Sequence, residues 1–183
     1  MSVPRTARWL TAAAVGVAAV VVPQLPASAA AATVCYDTSQ AGAYAGTTDS
    51  AASIWNGATN VTLAQCGSSL RVHQITGGGS YAVRTSLGVG DVYIDTEQAA
   101  QYSPLRIVTH EIGHILGLPD NYNGDCSLLM SGGSAGTACT NPYPSAGEAA
   151  QVDAYFGTGL TARSADGGQV FRDSWPAPAA VTG

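Results

Sequence analysis

His110, Glu111, His114 and Asp120 lie within eleven residues, His110-Glu111-Ile112-Gly113-His114-Ile115-Leu116-Gly117-Leu118-Pro119-Asp120. Two histidines four apart on an α-helix share one face, one turn apart, so both imidazoles can bind a single metal ion. Glu111, next to the first, is placed to take a proton from a water activated by that metal without being a ligand itself. A catalytic zinc takes three protein ligands and keeps one position open. Gly117 accepts positive φ and offers a stop and a turn, so the chain can swing back with a third ligand. Asp120 is the candidate. With three His and three Glu among 183 residues, a chance H-E-x-x-H is expected in roughly one such chain per thousand. That weighs against two ordinary helical histidines.

The helix that must carry these groups has legible ends. Ser103 is a good N-cap and Pro104 is tolerated at the first helical position. Leu105, Val108, Ile112, Ile115 and Leu116 recur at three- and four-residue spacing, an apolar stripe on a different face from the histidines. Before it, β-prone segments are expected at Thr33 to Tyr36, Val61 to Leu63, Leu70 to Ile75, Tyr81 to Thr85 and Val89 to Asp95. A short helix is expected at Asp49 to Asn56, with Trp55 as a core anchor, and loop from Asp37 to Thr48. Gly77-Gly78-Gly79 has no following Lys-Ser/Thr, so it is not a phosphate loop. His73, alone on a strand, reads as a surface or half-buried residue. Residues 117–144 are irregular. Ser145 and Glu148 form a capping box opening a last helix to Phe156.

Composition bounds the class. Arg5 and Arg8, an apolar run from Leu10 to Val22 and Ala27-Ser28-Ala29 read as a signal peptide over residues 1–29. Residues 30–157 are the expected single domain, and 158–183, rich in Gly, Ala and Pro, the expected mobile tail. Removing residues 1–29 leaves five Arg, no Lys and twelve acids, a formal charge of −7. Such a chain has no footprint for nucleic acid or an anionic membrane. Cys35, Cys66, Cys126 and Cys139 contain no C-x-x-C, so a thiolate zinc site is not expected; in an exported protein they read as two disulfides. Four cysteines allow three connectivities, of which the sequence-local one, Cys35–Cys66 with Cys126–Cys139, is preferred.

The extended pattern His110-Glu111-x-x-His114-x-x-Gly117-x-x-Asp120, followed by Met130 in Cys126-Ser127-Leu128-Leu129-Met130-Ser131-Gly132-Gly133, resembles the metzincins, in which a Met-containing turn lies beneath the zinc. Asp as third ligand, Asn121-Tyr122 after it, and Cys139-Thr140-Asn141-Pro142-Tyr143-Pro144 are similar to the snapalysin family of small secreted bacterial zinc proteases. The resemblance covers roughly Thr33 to Phe156. It implies an α+β, metzincin-like zincin: a twisted mixed sheet with an active-site helix, then an irregular C-terminal part with one helix. It implies Zn2+ on His110, His114 and Asp120, Glu111 as general base, Tyr122 as an oxyanion-stabilising residue and Met130 as the structural turn residue. It also implies a preference for an aromatic residue after the scissile bond. The family's calcium ligands, an Asp and a Thr, match Ser103 and Leu105 here, so calcium is not carried over. Cys35 and Cys66 form a pair beyond the family pattern.

The expected function is a secreted zinc endopeptidase acting as a monomer on protein or peptide substrates. Substrate is expected to add as a strand along Val89 to Asp95. The competing class is a secreted zinc-binding interaction protein with a degenerate site. Glu111 discriminates, because a module that only holds metal needs no base beside its ligands. A zinc hydrolase of cell-wall peptide is a third class, unsupported by any wall-binding repeat.

Overall fold

Apolar and polar residues alternate along the short segments, and a sheet with one covered face is the structure that uses such alternation. The computed structural model describes residues 31–157 and 169–172. Among these residues six strands form one mixed sheet: β1 (Thr33–Gln40), β2 (Thr62–Ala64), β3 (Leu70–Ile75), β4 (Tyr81–Ser86), β5 (Val89–Asp95) and β6 (Gln169–Arg172). Their spatial order is β2-β1-β3-β5-β4-β6. The pairs β1–β2, β1–β3 and β3–β5 are parallel; β4 is antiparallel to both β5 and β6. Leu70 and Val72 of β3, Ala82 of β4, and Val92 and Ile94 of β5 point into the core. Among the described residues four α-helices complete the fold: α1 (Ala45–Ala58), α2 (Thr96–Ala99), α3 (Pro104–Ile115) and α4 (Ala146–Gly157). The expected α+β architecture with an active-site helix against a mixed sheet is therefore found.

Several boundaries differ from the sequence reading. β1 runs on to Gln40, a 3-10 turn follows at Gly42–Tyr44, and α1 begins at Ala45, so little of the loop expected over 37–48 remains. The helix is spelled in polar residues because Thr48, Ser50 and Ser53 return their hydroxyls to the carbonyls of Tyr44, Gly46 and Asp49, four residues back. Trp55 is fully buried, and its indole N–H donates to the Thr109 carbonyl of α3 at 3.0 Å. Gly77, Gly78 and Gly79 all have positive φ. They wrap an anion of the chain's own: the Asp95 carboxylate accepts from the amides of Gly77 and Gly79 and also caps α2 through Glu97.

Two corrections bear on function. β5 lies between β3 and β4, so both its edges are paired and no substrate can add along Val89 to Asp95. Period-two alternation identifies a strand but not its neighbours. The outer edge of β4 is taken by β6, four residues of the segment expected to be a mobile tail. The expected signal peptide and the rest of that tail lie outside the described residues. Both disulfides are formed with the preferred pairing, Cys35–Cys66 and Cys126–Cys139. His73 sits on β3 with Nε2 2.8 Å from Asp91 Oδ1 and its ring stacked on Tyr93, a sheet-surface role.

Candidate metal centre

The site is built outward from α3. Ser103 caps its first turn, accepting from the Arg106 amide, and Pro104 follows. Every residue from Arg106 to Ile115 is buried, so the ligand face is as enclosed as the apolar stripe. At the other end the chain closes a Schellman turn. Gly117 N–H donates to the His114 carbonyl, and Leu118 N–H reaches back to Gly113, both at 3.0 Å. Gly117 has φ of 111°, and a Cβ there would lie 2.6 Å from the Tyr155 ring, so conformation and space both demand glycine. This turn reverses the chain and returns Asp120 to the helix.

His110, His114 and Asp120 converge into a metal-binding group, with their donor atoms within 4.8 Å of one another. Nδ1 of His110 faces the Leu129 carbonyl at 3.0 Å, and Nδ1 of His114 faces the Leu118 carbonyl at 2.9 Å. A carbonyl only accepts, so each Nδ1 carries the proton and each Nε2 presents a lone pair. The two Nε2 atoms are 3.1 Å apart, and Asp120 Oδ1 lies 3.4 and 3.3 Å from them. Asp120 Oδ1 is buried and has no hydrogen-bond partner among the described residues. Three acceptors facing one another at these distances repel unless a cation lies between them. The donor set fits a divalent metal.

Residues 31–159 match the model of the Streptomyces extracellular neutral proteinase (M7) family. The chain belongs to this family. "Extracellular small neutral protease" of Streptomyces lividans is 41% identical over 141 residues, which are 75% of this chain and 62% of the relative. The protein of the same name from Streptomyces coelicolor is 42% identical, with 75% and 66% covered. That from Streptomyces caespitosus is 42% identical over 130 residues, 69% of this chain and 98% of the relative. The chain thus spans less than two thirds of the length of the first two.

In this M7 chain the floor beneath the metal group is a clamp that the sequence reading did not foresee. The turn through Leu128–Gly132 is held from two sides. From α3, the buried Arg106 guanidinium donates to the carbonyls of Asn141 (2.5 Å), Leu128 (2.9 Å) and Leu129 (3.3 Å) and to Ser131 Oγ (2.9 Å). From α4, the Glu148 carboxylate accepts from the amides of Leu129 (3.1 Å) and Met130 (2.8 Å). Burial lowers the Arg106 pKa, and the charge of Glu148 pulls it back up. The same turn supplies the carbonyl that orients His110, and Met130 C=O accepts from Asn121 N–H beside the third ligand. Met130 packs beneath α3: a Cβ on Gly113 would meet its Sδ at 2.9 Å and Trp55 Cζ2 at 3.2 Å.

Of the remaining predicted residues, Glu111 is fully buried on α3, between the two histidines. Tyr122, two residues beyond Asp120, is 43% exposed. Cys126–Cys139 closes the loop around the Met turn, and Asn141 Nδ2 donates to the Cys126 carbonyl inside it. The expected capping box is present, with Ser145 N–H donating to Glu148 and Glu148 N–H to Ser145 Oγ. The signals for the unforeseen clamp were an arginine inside the apolar stripe of α3 and a capping glutamate with a second carboxylate oxygen to offer.

Proposed function

We propose that the protein is a secreted zinc endopeptidase in which His110, His114 and Asp120 hold the metal and Glu111 is the general base. The observation that carries this reading is the triangle of acceptors at 3.1, 3.3 and 3.4 Å on a helix that also bears a buried glutamate. Ligands about 2.0 Å from a tetrahedral zinc are separated by about 3.3 Å, which is the spacing found. Two neutral imidazoles and one carboxylate leave such a centre at net +1, so a base beside it matters more than in a three-histidine site. Two disulfides, and relatives named as extracellular, support secretion.

Held by His110, His114 and Asp120, a zinc ion would supply Lewis acidity toward the substrate carbonyl and a lowered pKa for the attacking water. Glu111 takes that water's proton during attack and returns it to the leaving amine. The Leu129 and Leu118 carbonyls keep both histidines in the ligating tautomer. Tyr122 is the residue proposed to donate to the developing oxyanion. A preference for an aromatic residue after the cleaved bond is supported by a ring already lying on His114: Phe171 stacks on it with centroids 4.4 Å apart.

Casein hydrolysis with and without a chelator, on the wild type and on Glu111→Gln and Asp120→Asn, tests the reading. Glu111→Gln keeps zinc and loses at least about 10²-fold in turnover, because the amide cannot accept the proton. Asp120→Asn loses zinc affinity steeply. Wild-type turnover in Glu111→Gln, or wild-type zinc affinity in Asp120→Asn, sinks the corresponding role.

A further inference from the structure

β6 lies outside the residues that match the M7 family, yet it pairs with β4 and touches the metal group through Phe171. Its register on β4 is antiparallel, with Tyr81 opposite Arg172, Ala82 opposite Phe171, Val83 opposite Val170 and Arg84 opposite Gln169. The position facing Ala82 touches the site. Phe171 is buried, and its ring lies parallel to the His114 imidazole at 4.4 Å and 12°. Arg84 of β4 joins the two. Its Nη1 donates to the His114 carbonyl at 2.7 Å, its Nη2 to Gln169 Oε1 at 2.8 Å, and its guanidinium sits 4.9 Å from the Phe171 ring centroid. Arg172 lies over Tyr81 in the same way, at 4.8 Å. Among the described residues β5 is interior and β2 ends the sheet on the far side, so once β6 is displaced the outer edge of β4 is the edge beside His114. An extended peptide that reaches the metal group by strand addition must pair there, in the place that β6 holds.

We infer that β6 is a built-in occupant of the substrate edge, an autoinhibitory strand that an incoming peptide displaces. The inference rests on the peptidase reading above for what the edge binds, but not for the occupancy itself. The chemistry that recognises β6 is that of an extended peptide with an aromatic side chain: backbone pairing to β4, one ring on an imidazole, and a polar residue two before it on Arg84. A strand on the same chain competes at an effective concentration on the order of mM. Such an occupant raises the apparent KM and leaves kcat unchanged, because once displaced it takes no part in the reaction.

The test uses the full chain with zinc, as wild type, Phe171→Ala and Val170→Pro. The first removes the ring contact; the second removes a strand N–H at a half-exposed position. Steady-state kinetics on an internally quenched peptide are expected to show KM falling about tenfold in both variants with kcat within about twofold of wild type. In parallel, a fluorescein-labelled Gln-Val-Phe-Arg peptide is titrated against Glu111→Gln with and without Phe171→Ala. Its Kd is expected to tighten by a similar factor when the native ring is gone. Circular dichroism melts verify that each variant is folded. An unchanged or raised KM in both folded variants, with peptide affinity unchanged, overturns the inference and makes β6 ordinary sheet. If no form hydrolyses any peptide, the peptidase reading has failed, and the binding titration alone decides the occupancy.

Discussion

The floor of the metal group and its β4 rim are built on different principles. On the floor, His110 is fixed by groups that are themselves fixed. His110 is held by the Leu129 carbonyl, Leu129 by Arg106 and Glu148, and Glu148 by its own helix cap. On the rim, four residues of β6 are held by backbone pairing, one buried ring and the Arg84 and Arg172 contacts. A buried network cross-connected in this way is rigid, because breaking one member strands several others. A short edge strand with one buried side chain opens at small cost. Metal geometry needs the first kind of construction, and a surface that exchanges partners needs the second.

The sharpest way to break the floor is Arg106→Met. It keeps the volume, removes the guanidinium donor from the Asn141 carbonyl, and leaves the Leu128 carbonyl to Ser131 and the Leu129 carbonyl to His110 Nδ1, so a loss of about 3–5 kcal/mol is expected in denaturant unfolding. Metal affinity is expected to fall tenfold or more by competition with a chelating dye, because the carbonyl that orients His110 is released. If stability falls and metal affinity does not, the clamp supports the fold but not the site.

Gly113→Ala is the next step down. In an exposed helix this change stabilises by about 1 kcal/mol. Here the new methyl meets Met130 Sδ at 2.9 Å and Trp55 at 3.2 Å, both in buried side chains. A net loss of about 1–3 kcal/mol is expected by thermal unfolding. A rise in Tm means that the floor has slack.

The smallest effect belongs to the sheet surface away from the metal. Asp91 of β5 accepts a bidentate pair from Arg71 at 2.7 and 2.8 Å and a contact from His73. The Arg71 hydrogen bonds hold its carboxyl below the usual value of 3.8. A depressed folded-state pKa stabilises above the unfolded value and is lost as pH falls through the folded one. Asp91→Asn is therefore expected to cost about 1 kcal/mol or less at pH 7. The gap from wild type is expected to close as the pH falls below about 4. A gap that persists at pH 2 assigns the effect to packing, not charge.

What the sequence by itself determined is what depends on neighbours along the chain. The i, i+4 spacing of His110 and His114, the Ser103 cap, the turn at Gly117 and the return of Asp120 all follow from helix geometry over the eighteen residues from Ser103 to Asp120. The capping box at Ser145 and Glu148 is equally local. The tertiary structure decided what depends on partners distant in sequence. It set which carbonyls fix the histidine tautomers, that Arg106 and Glu148 meet on opposite sides of the Met130 turn, and that β5 is interior. It also placed Gln169–Arg172, expected to be tail, on the rim of the site. Alternation marks a strand and a helix face but carries no address for its neighbour. Strand order and buried polar partners are set by the packing of the whole chain.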